Sequence, residues 1–285
     1  MSFEKFANAE VTDIISLKEW EKMHRGQSFK NKTAAVAKLA EDHSRYILSQ
    51  VTIMSSVAVE ADPFDHKIKP ESAAFVNGNH DAWTNEVLAK SYHTFRGAFN
   101  FLEHYQNTKA NKGHILDAIP RKIWLNKTTF ILYIDLLVAT SLEHEELVAD
   151  IRSGKVKHMS MGCTTELVIC SICGTRHIDN STFCDHLRYC KGEFLLDNEG
   201  IPRITAELCG HKSLECGGIF FTESSWVANP AFLGSQVRHI IDENFLGPKT
   251  PYTRVASTVS GQKKVAAAPG PTDGRLRADF DRLFR

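Results

Sequence analysis

The seven cysteines of this chain all fall between Cys163 and Cys216. Cys170-x2-Cys173, twelve residues, and then His186-x3-Cys190 reproduces the donor types and spacing of a ββα zinc finger. Two close pairs of thiolate and imidazole donors suit tetrahedral Zn²⁺. Four protein ligands leave no position for water, so the metal is expected to be structural rather than catalytic. Phe183 and Leu187 would supply the small apolar core of such a unit. Cys184 competes with His186 for the third position, and Cys209 with Cys216 could instead complete a ribbon with Cys170 and Cys173. An odd number of cysteines, in a chain whose first residues carry acids and no apolar signal segment, does not read as a disulfide framework.

A second chemistry is spread over most of the chain. FLEHYQ sets His104 at the end of an apolar segment, and HMSMGC sets Ser160 two positions before Gly162. A serine in Ser-x-Gly at a strand end can offer Oγ to a histidine and a nearby backbone N–H to an oxyanion. Taken alone this is weak, since the chain holds 13 histidines. Cys163 beside the serine is a lesser candidate for the attacking group. GNHDAW, Gly78 to Trp83, has the look of a metallophosphoesterase fragment. None of the 17 glycines precedes an aspartate, however, so the element that bridges two metals is missing and the segment reads as a turn.

The elements that must position these residues follow from pattern. YILSQVTIMSSVAV (46–59) is β-branched and unbroken, as strands are. A helix is expected at 34–43, another from about Thr84, a short strand at 99–104, and two strand runs within 122–139 parted by Asn126-Lys127. HEELVADIRSG reads as a helix ending at Gly154. KVKHMSMGCTTELVI is then a strand leading into the cysteines, 219–228 a strand, and 233–244 a final helix. Residues 248–274 are rich in Pro, Gly, Ser and Thr and read as a flexible linker. Leu276, Phe280, Leu283 and Phe284 then form the apolar stripe of a short amphipathic helix, 275–285.

Of 285 residues, 42% are hydrophobic, and 34 basic side chains balance 34 acidic ones. That composition gives a sizeable core and argues against a surface built to hold nucleic acid or a membrane. The longest apolar run, Phe130 to Ala139, is broken by Asp135 and is far shorter than the roughly 20 residues that span a bilayer. The chain is expected to remain in the cytosol.

Four blocks in series resemble the prohead (head maturation) proteases of tailed bacteriophages, relatives of herpesvirus assemblin. FVNGNHDAWTNEVL is similar to that family's Val-Asn-x-Asn segment before a helix, and FLEHYQ to its block holding the catalytic histidine. VADIRSGKVKHMSMGC resembles the helix ending in Arg-x-Gly followed by the nucleophile strand. FTESSWVANPAF resembles the closing strand with Val-x-x-Pro. The resemblance covers roughly residues 46–240. Tyr105 stands where the family often has Pro, and residues 168–218 form a cysteine-rich insertion between nucleophile and closing strand.

The resemblance implies an α+β fold with an assemblin-like β-barrel core surrounded by helices. The protease domain would span 1–247, with a small zinc-binding insert at 168–218 held by Cys170, Cys173, His186 and Cys190. It implies Ser160 as nucleophile, His104 as general base and Glu223 as the third member, with Asp135 and Glu166 as runners-up. The implied activity is a serine endopeptidase that cleaves scaffold, major capsid and other internal prohead proteins, and itself. It would act in the host cytoplasm inside the assembling prohead, with self-association open and neither membrane nor nucleic acid as partner. The competing expectation is a non-enzymatic zinc-finger protein that binds nucleic acid or a protein partner.

Overall fold

A computed structural model describes residues 13–15, 45–213 and 218–241. The expected helix at 34–43, the linker and the tail helix lie outside the described residues, which all belong to the unit Met1–Lys249. Among the described residues the fold is mixed α+β and dominated by strands.

The main sheet has eight strands in the order β1-β14-β2-β6-β5-β4-β13-β7. These are β1 (Asp13–Ile15), β2 (Tyr46–Ser55), β4 (Phe99–Leu102), β5 (Gly113–Trp124), β6 (Phe130–Ser141), β7 (His158–Thr165), β13 (Ile219–Val227) and β14 (Gln236–Ile241). The long β5–β6 hairpin turns at Asn126, whose Oδ1 accepts from the N–H groups of Thr128 (2.9 Å) and Thr129 (2.7 Å). β6 is buried almost throughout because both its faces are covered. Ile134, Leu136 and Val138 enter the main core, while Leu137 and Ala139 join Leu48, Ile119 and Ile241 on the other side. Burying such a side chain contributes about 1.5–3 kcal/mol.

Helix α1 (Asn85–Ser91) starts at Thr84, whose hydroxyl accepts from Val87 N–H (3.4 Å), and drops Val87 and Leu88 into the core. Helix α2 (Glu145–Arg152) does the same with Leu147, Val148 and Ile151, and ends before Gly154 at φ 74°.

Two expectations need correction. The sheet is not closed into a barrel: no ladder among the described residues joins β7 to β14 or β1. It curls far enough that β7 packs on β2, and Val237 N–H reaches Lys157 C=O (2.8 Å), but the pairing stops there. Within the segment expected as a helix at 233–244, Gln236–Ile241 form strand β14, and 242–244 lie outside the described residues. Val237 and Ile240, three apart, both face the core because a bulge lies between Val237 and His239. An extra residue in a strand turns a spacing of two into a spacing of three, which imitates a helical stripe.

The insert is a small sheet of its own. β3 (Asp81–Ala82), β12 (Glu207–Cys209), β8 (Val168–Cys170) and β9 (Arg176–His177) lie in the order β3-β12-β8-β9, beside helix α3 (Asp185–Tyr189) and the hairpin of β10 (Phe194–Leu196) and β11 (Pro202–Ile204). GNHDAW is indeed a turn, with Asn77 Oδ1 accepting from Asn79 and Asp81 N–H (2.9 and 2.8 Å), and it supplies β3 as the insert's docking strand. Lys191 pairs with Asp81 (3.0 Å) and Glu207 across that junction. Arg203 pairs with Glu60 (2.7 Å) and Asp197 (3.1 Å), and Leu167, Ile169, Ile204 and Leu208 share a core with Val57, Ile68 and Ala82.

Candidate functional site

Three strands build the first site. β13 runs parallel to β4 and antiparallel to β7, in a register that pairs Glu223 with Gly162 and Ser225 with Ser160. Residues two apart on a strand share a face, as do directly paired residues. Ser160, Gly162, Glu223 and Ser225 therefore stand on one face. Met159, Phe221 and Trp226 point the other way, into the main core; Phe221, two residues before Glu223, does so because a bulge lies between them. Phe95 stacks on Phe221 with ring centroids 4.0 Å apart and anchors the strand from behind.

His104 reaches this face from the turn after β4. Glu103 and His104 are successive left-handed residues, at φ 49° and 57°. Each such conformation costs a non-glycine residue on the order of 1–3 kcal/mol. The turn is held by Glu103 N–H on Trp226 C=O (2.9 Å), Ala228 N–H on Glu103 Oε1 (2.8 Å) and Tyr105 N–H on Leu102 C=O (3.0 Å). It folds His104 back over β13, where Nδ1 lies 2.8 Å from Glu223 Oε1, across a separation of 119 residues.

Glu223 is buried, and its other oxygen accepts from Ser225 Oγ (2.6 Å). A carboxylate only accepts, so the proton in the His104 contact sits on Nδ1, which leaves the Nε2 lone pair available. The Glu223 hydrogen bond is the main cause that raises the His104 pKa above 6.5. Partial burial opposes it, and the charges of Glu223 and Glu103 add to it.

Gly162 makes this pairing sterically possible. A Cβ there would stand 2.6 Å from Glu223 Oε1 and 3.1 Å from its Cγ. The carboxylate lies where a side chain at 162 would be.

The structure thus brings His104 and Glu223 together and places Ser160 one strand away on the same face. Among the described residues no hydrogen bond joins Ser160 Oγ to His104. Such a contact is commonly loose without substrate and tightens in the Michaelis complex. The runners-up for the acid are engaged elsewhere. Asp135 is held by Arg121 (2.9 and 3.1 Å) and Thr52 (2.6 Å), and Glu166 accepts from Ser213. Cys163 packs against the core, on the opposite face from Ser160, and burial pushes its thiol up to about 12, far from a ready thiolate. Ser225 was not singled out from sequence, although its place two residues beyond Glu223 in a strand puts it on the acid's face.

The second site lies in the insert. The donor atoms of Cys170, Cys173, Cys184 and His186 all fall within 4.8 Å of one another, so this group could hold a metal ion. Cys170 ends β8, and Gly174 at φ 71° closes the tight turn that brings Cys173 beside it, with Gly174 N–H on Cys170 C=O (2.9 Å). Backbone N–H groups of Ile172 and Cys173 point at the Cys170 sulfur, although burial, the larger influence, pushes that thiol up to about 12. Burial is the largest single influence on Cys173 and opposes ionisation, but hydrogen bonds from Thr175, His186 and Cys184 together outweigh it, and the thiol falls to about 6. His186 Nδ1 is buried and has no hydrogen-bond partner in the protein, which fits an imidazole turned toward a metal.

Of the expected ligands, Cys170, Cys173 and His186 fall in this group, and the fourth donor in it is Cys184, the competitor named above, rather than Cys190. Cys184 caps the N-terminus of α3 and His186 lies in its first turn, whereas Cys190 caps the far end. Cys209 is buried at the β3–β12 junction, and Cys216 lies outside the described residues.

No helix among the described residues is long and apolar enough to cross a membrane. Compared with family models, curated proteins and solved structures, the chain matches none.

Proposed function

We propose that the chain is a serine endopeptidase with Ser160 as nucleophile, His104 as general base and Glu223 as the acid that orients it. The observation that carries this reading is the 2.8 Å contact between His104 Nδ1 and buried Glu223, on the sheet face that also bears Ser160. In the reaction, Ser160 Oγ attacks the scissile carbonyl while His104 Nε2 takes its proton. The resulting imidazolium is stabilised by Glu223 and returns the proton to the leaving amine. Water, activated by the same imidazole, then hydrolyses the acyl-enzyme. The resemblance in the sequence points to scaffold, capsid and internal prohead proteins as substrates, with the chain itself among them.

The cysteine cluster is read as a structural Zn²⁺ site of Cys170, Cys173, Cys184 and His186. The donor set and the orphaned His186 nitrogen fit such an ion, and four protein donors fill its coordination. Bound there, the metal supplies folding energy to the insert. The zinc-finger alternative is weakened by how the insert's basic residues are used. Lys191 is neutralised by Asp81 and Glu207, which leaves exposed Arg176 and Arg188 as the main basic residues of the insert, too few for a stripe.

The test is incubation of the purified full chain, alone and with denatured casein, followed by intact mass measurement. Fragments from the wild type and none from Ser160→Ala are expected. Equal fragmentation of both would refute the assignment.

A further inference from the structure

We propose that Ser225 is a positioning residue for the His104–Glu223 pair, holding the carboxylate so that one oxygen faces the imidazole; this rests on the serine peptidase reading of the site. Ser225 is completely buried on β13, its hydroxyl donates to Glu223 Oε2 (2.6 Å), and the opposite oxygen, Oε1, receives His104 Nδ1–H (2.8 Å). Glu223 has three side-chain torsions, and its carboxylate rests where Gly162 contributes no side chain, a space that the Gln106 amide also borders. Nothing from the paired strand therefore walls the carboxylate in at that point. The hydroxyl two residues along the same strand fixes it instead. The glutamate bends back along β13 to meet that hydroxyl, and this turns the remaining oxygen toward the turn after β4. Ser225 is also the direct cross-strand partner of Ser160, so one backbone pair sets both the nucleophile's position and that of the acid's tether.

The competing role is a structural one, in which Glu223 simply satisfies a buried hydroxyl. The two roles separate by what happens to His104. The ionisable groups acting on it are Glu223, from β13, and Glu103, its chain neighbour. Glu103 is tied to Ala228 N–H and does not depend on Ser225. Freed from its tether, Glu223 would support the imidazolium less well, and the midpoint of His104 titration should move down toward 6.5. A hydroxyl that served packing alone would leave that midpoint where it is.

The experiment uses the full chain and a fluorophosphonate probe, with the rate of Ser160 labelling followed against pH. For Ser225→Ala the expected result is a labelling rate lower by about tenfold together with a lower pH midpoint. Adding Ser225→Ala to Glu223→Gln should change neither quantity further, since the tether acts only through the acid. If circular dichroism shows that Ser225→Ala is unfolded, Ser225→Cys, which keeps the shape and weakens the donor, is read in its place. An unchanged or raised midpoint, or a further loss in the double variant, would overturn the proposal. Titration of His104 by NMR separates this from failure of the peptidase reading. If the wild type takes no probe at Ser160, that reading fails, and the His104 midpoint in Ser225→Ala still decides whether Ser225 holds Glu223.

Discussion

The two candidate sites of this protein are assembled in opposite ways. The group that could hold a metal draws all four donors from one short stretch, shaped by a tight turn at Gly174 and the start of a single helix turn. The serine site joins residues 119 positions apart and depends on the register of three strands, a left-handed turn and a missing side chain at Gly162. A local site tolerates changes elsewhere in the fold but fails when any one ligand is lost. A site built from register fails when anything shifts the strands by a fraction of an ångström. The substitutions below exploit that contrast.

The largest effect is expected from the serine site itself. Ser160→Ala and His104→Ala should each lower hydrolysis by roughly three orders of magnitude or more while leaving the circular dichroism spectrum intact. In the insert, the contrast lies between two cysteines. Cys184→Ser should abolish stoichiometric zinc in elemental analysis, and Cys190→Ser should retain about one ion per chain. Metal loss should open residues 168–213 to added protease before the main sheet, because small zinc units draw on the order of 10 kcal/mol of folding free energy from the ion.

Gly162→Ala probes register-dependent assembly without removing any functional group. The new Cβ would meet Glu223 Oε1 at 2.6 Å and push the carboxylate off His104. A drop of about 100-fold in turnover is expected from so small a displacement, with zinc content unchanged.

The pH dependence is subtler. Because Glu223 raises the His104 pKa, activity, which needs neutral imidazole, should climb with pH through a midpoint above 6.5, and Glu223→Gln should lower that midpoint. The same shift has the opposite sign for stability. The folded pKa lies above the unfolded one, so the pair stabilises the fold below about pH 6.5 and that contribution fades as pH rises through the folded value. The smallest effect should come from Lys191→Met at the insert's docking junction. It leaves Asp81 and Glu207 facing each other without their counter-ion, and thermal unfolding should report a loss of about 1–2 kcal/mol.

How far the sequence anticipated this architecture follows the same division. Strand β6 and the turn before it, the helix after Thr84 and the helix ending near Gly154 were legible because each is written in local pattern and punctuation, whereas β5 begins at Gly113, well before the run expected from 122. β14 was not, since its bulge brings Val237 and Ile240 to one face at a helical spacing. A cluster of donors able to hold a metal was legible from cysteine spacing. The choice of Cys184 over Cys190 was not, because it depends on where α3 begins. Glu223 could be reached only by ordering blocks along a family resemblance, as no local signal ties it to His104. The docking role of Asp81 and Ala82 had no sequence signal, for it arises from a parallel pairing with β12 far along the chain.

The central claim is that Ser160 is a nucleophile activated by the His104–Glu223 pair. Mapping a fluorophosphonate adduct on the intact chain by peptide mass spectrometry tests it most directly. The account predicts a single dominant adduct on Ser160 that is lost in His104→Ala. Absence of an adduct at Ser160 in the folded wild-type chain, or one that forms as fast in His104→Ala, would contradict it.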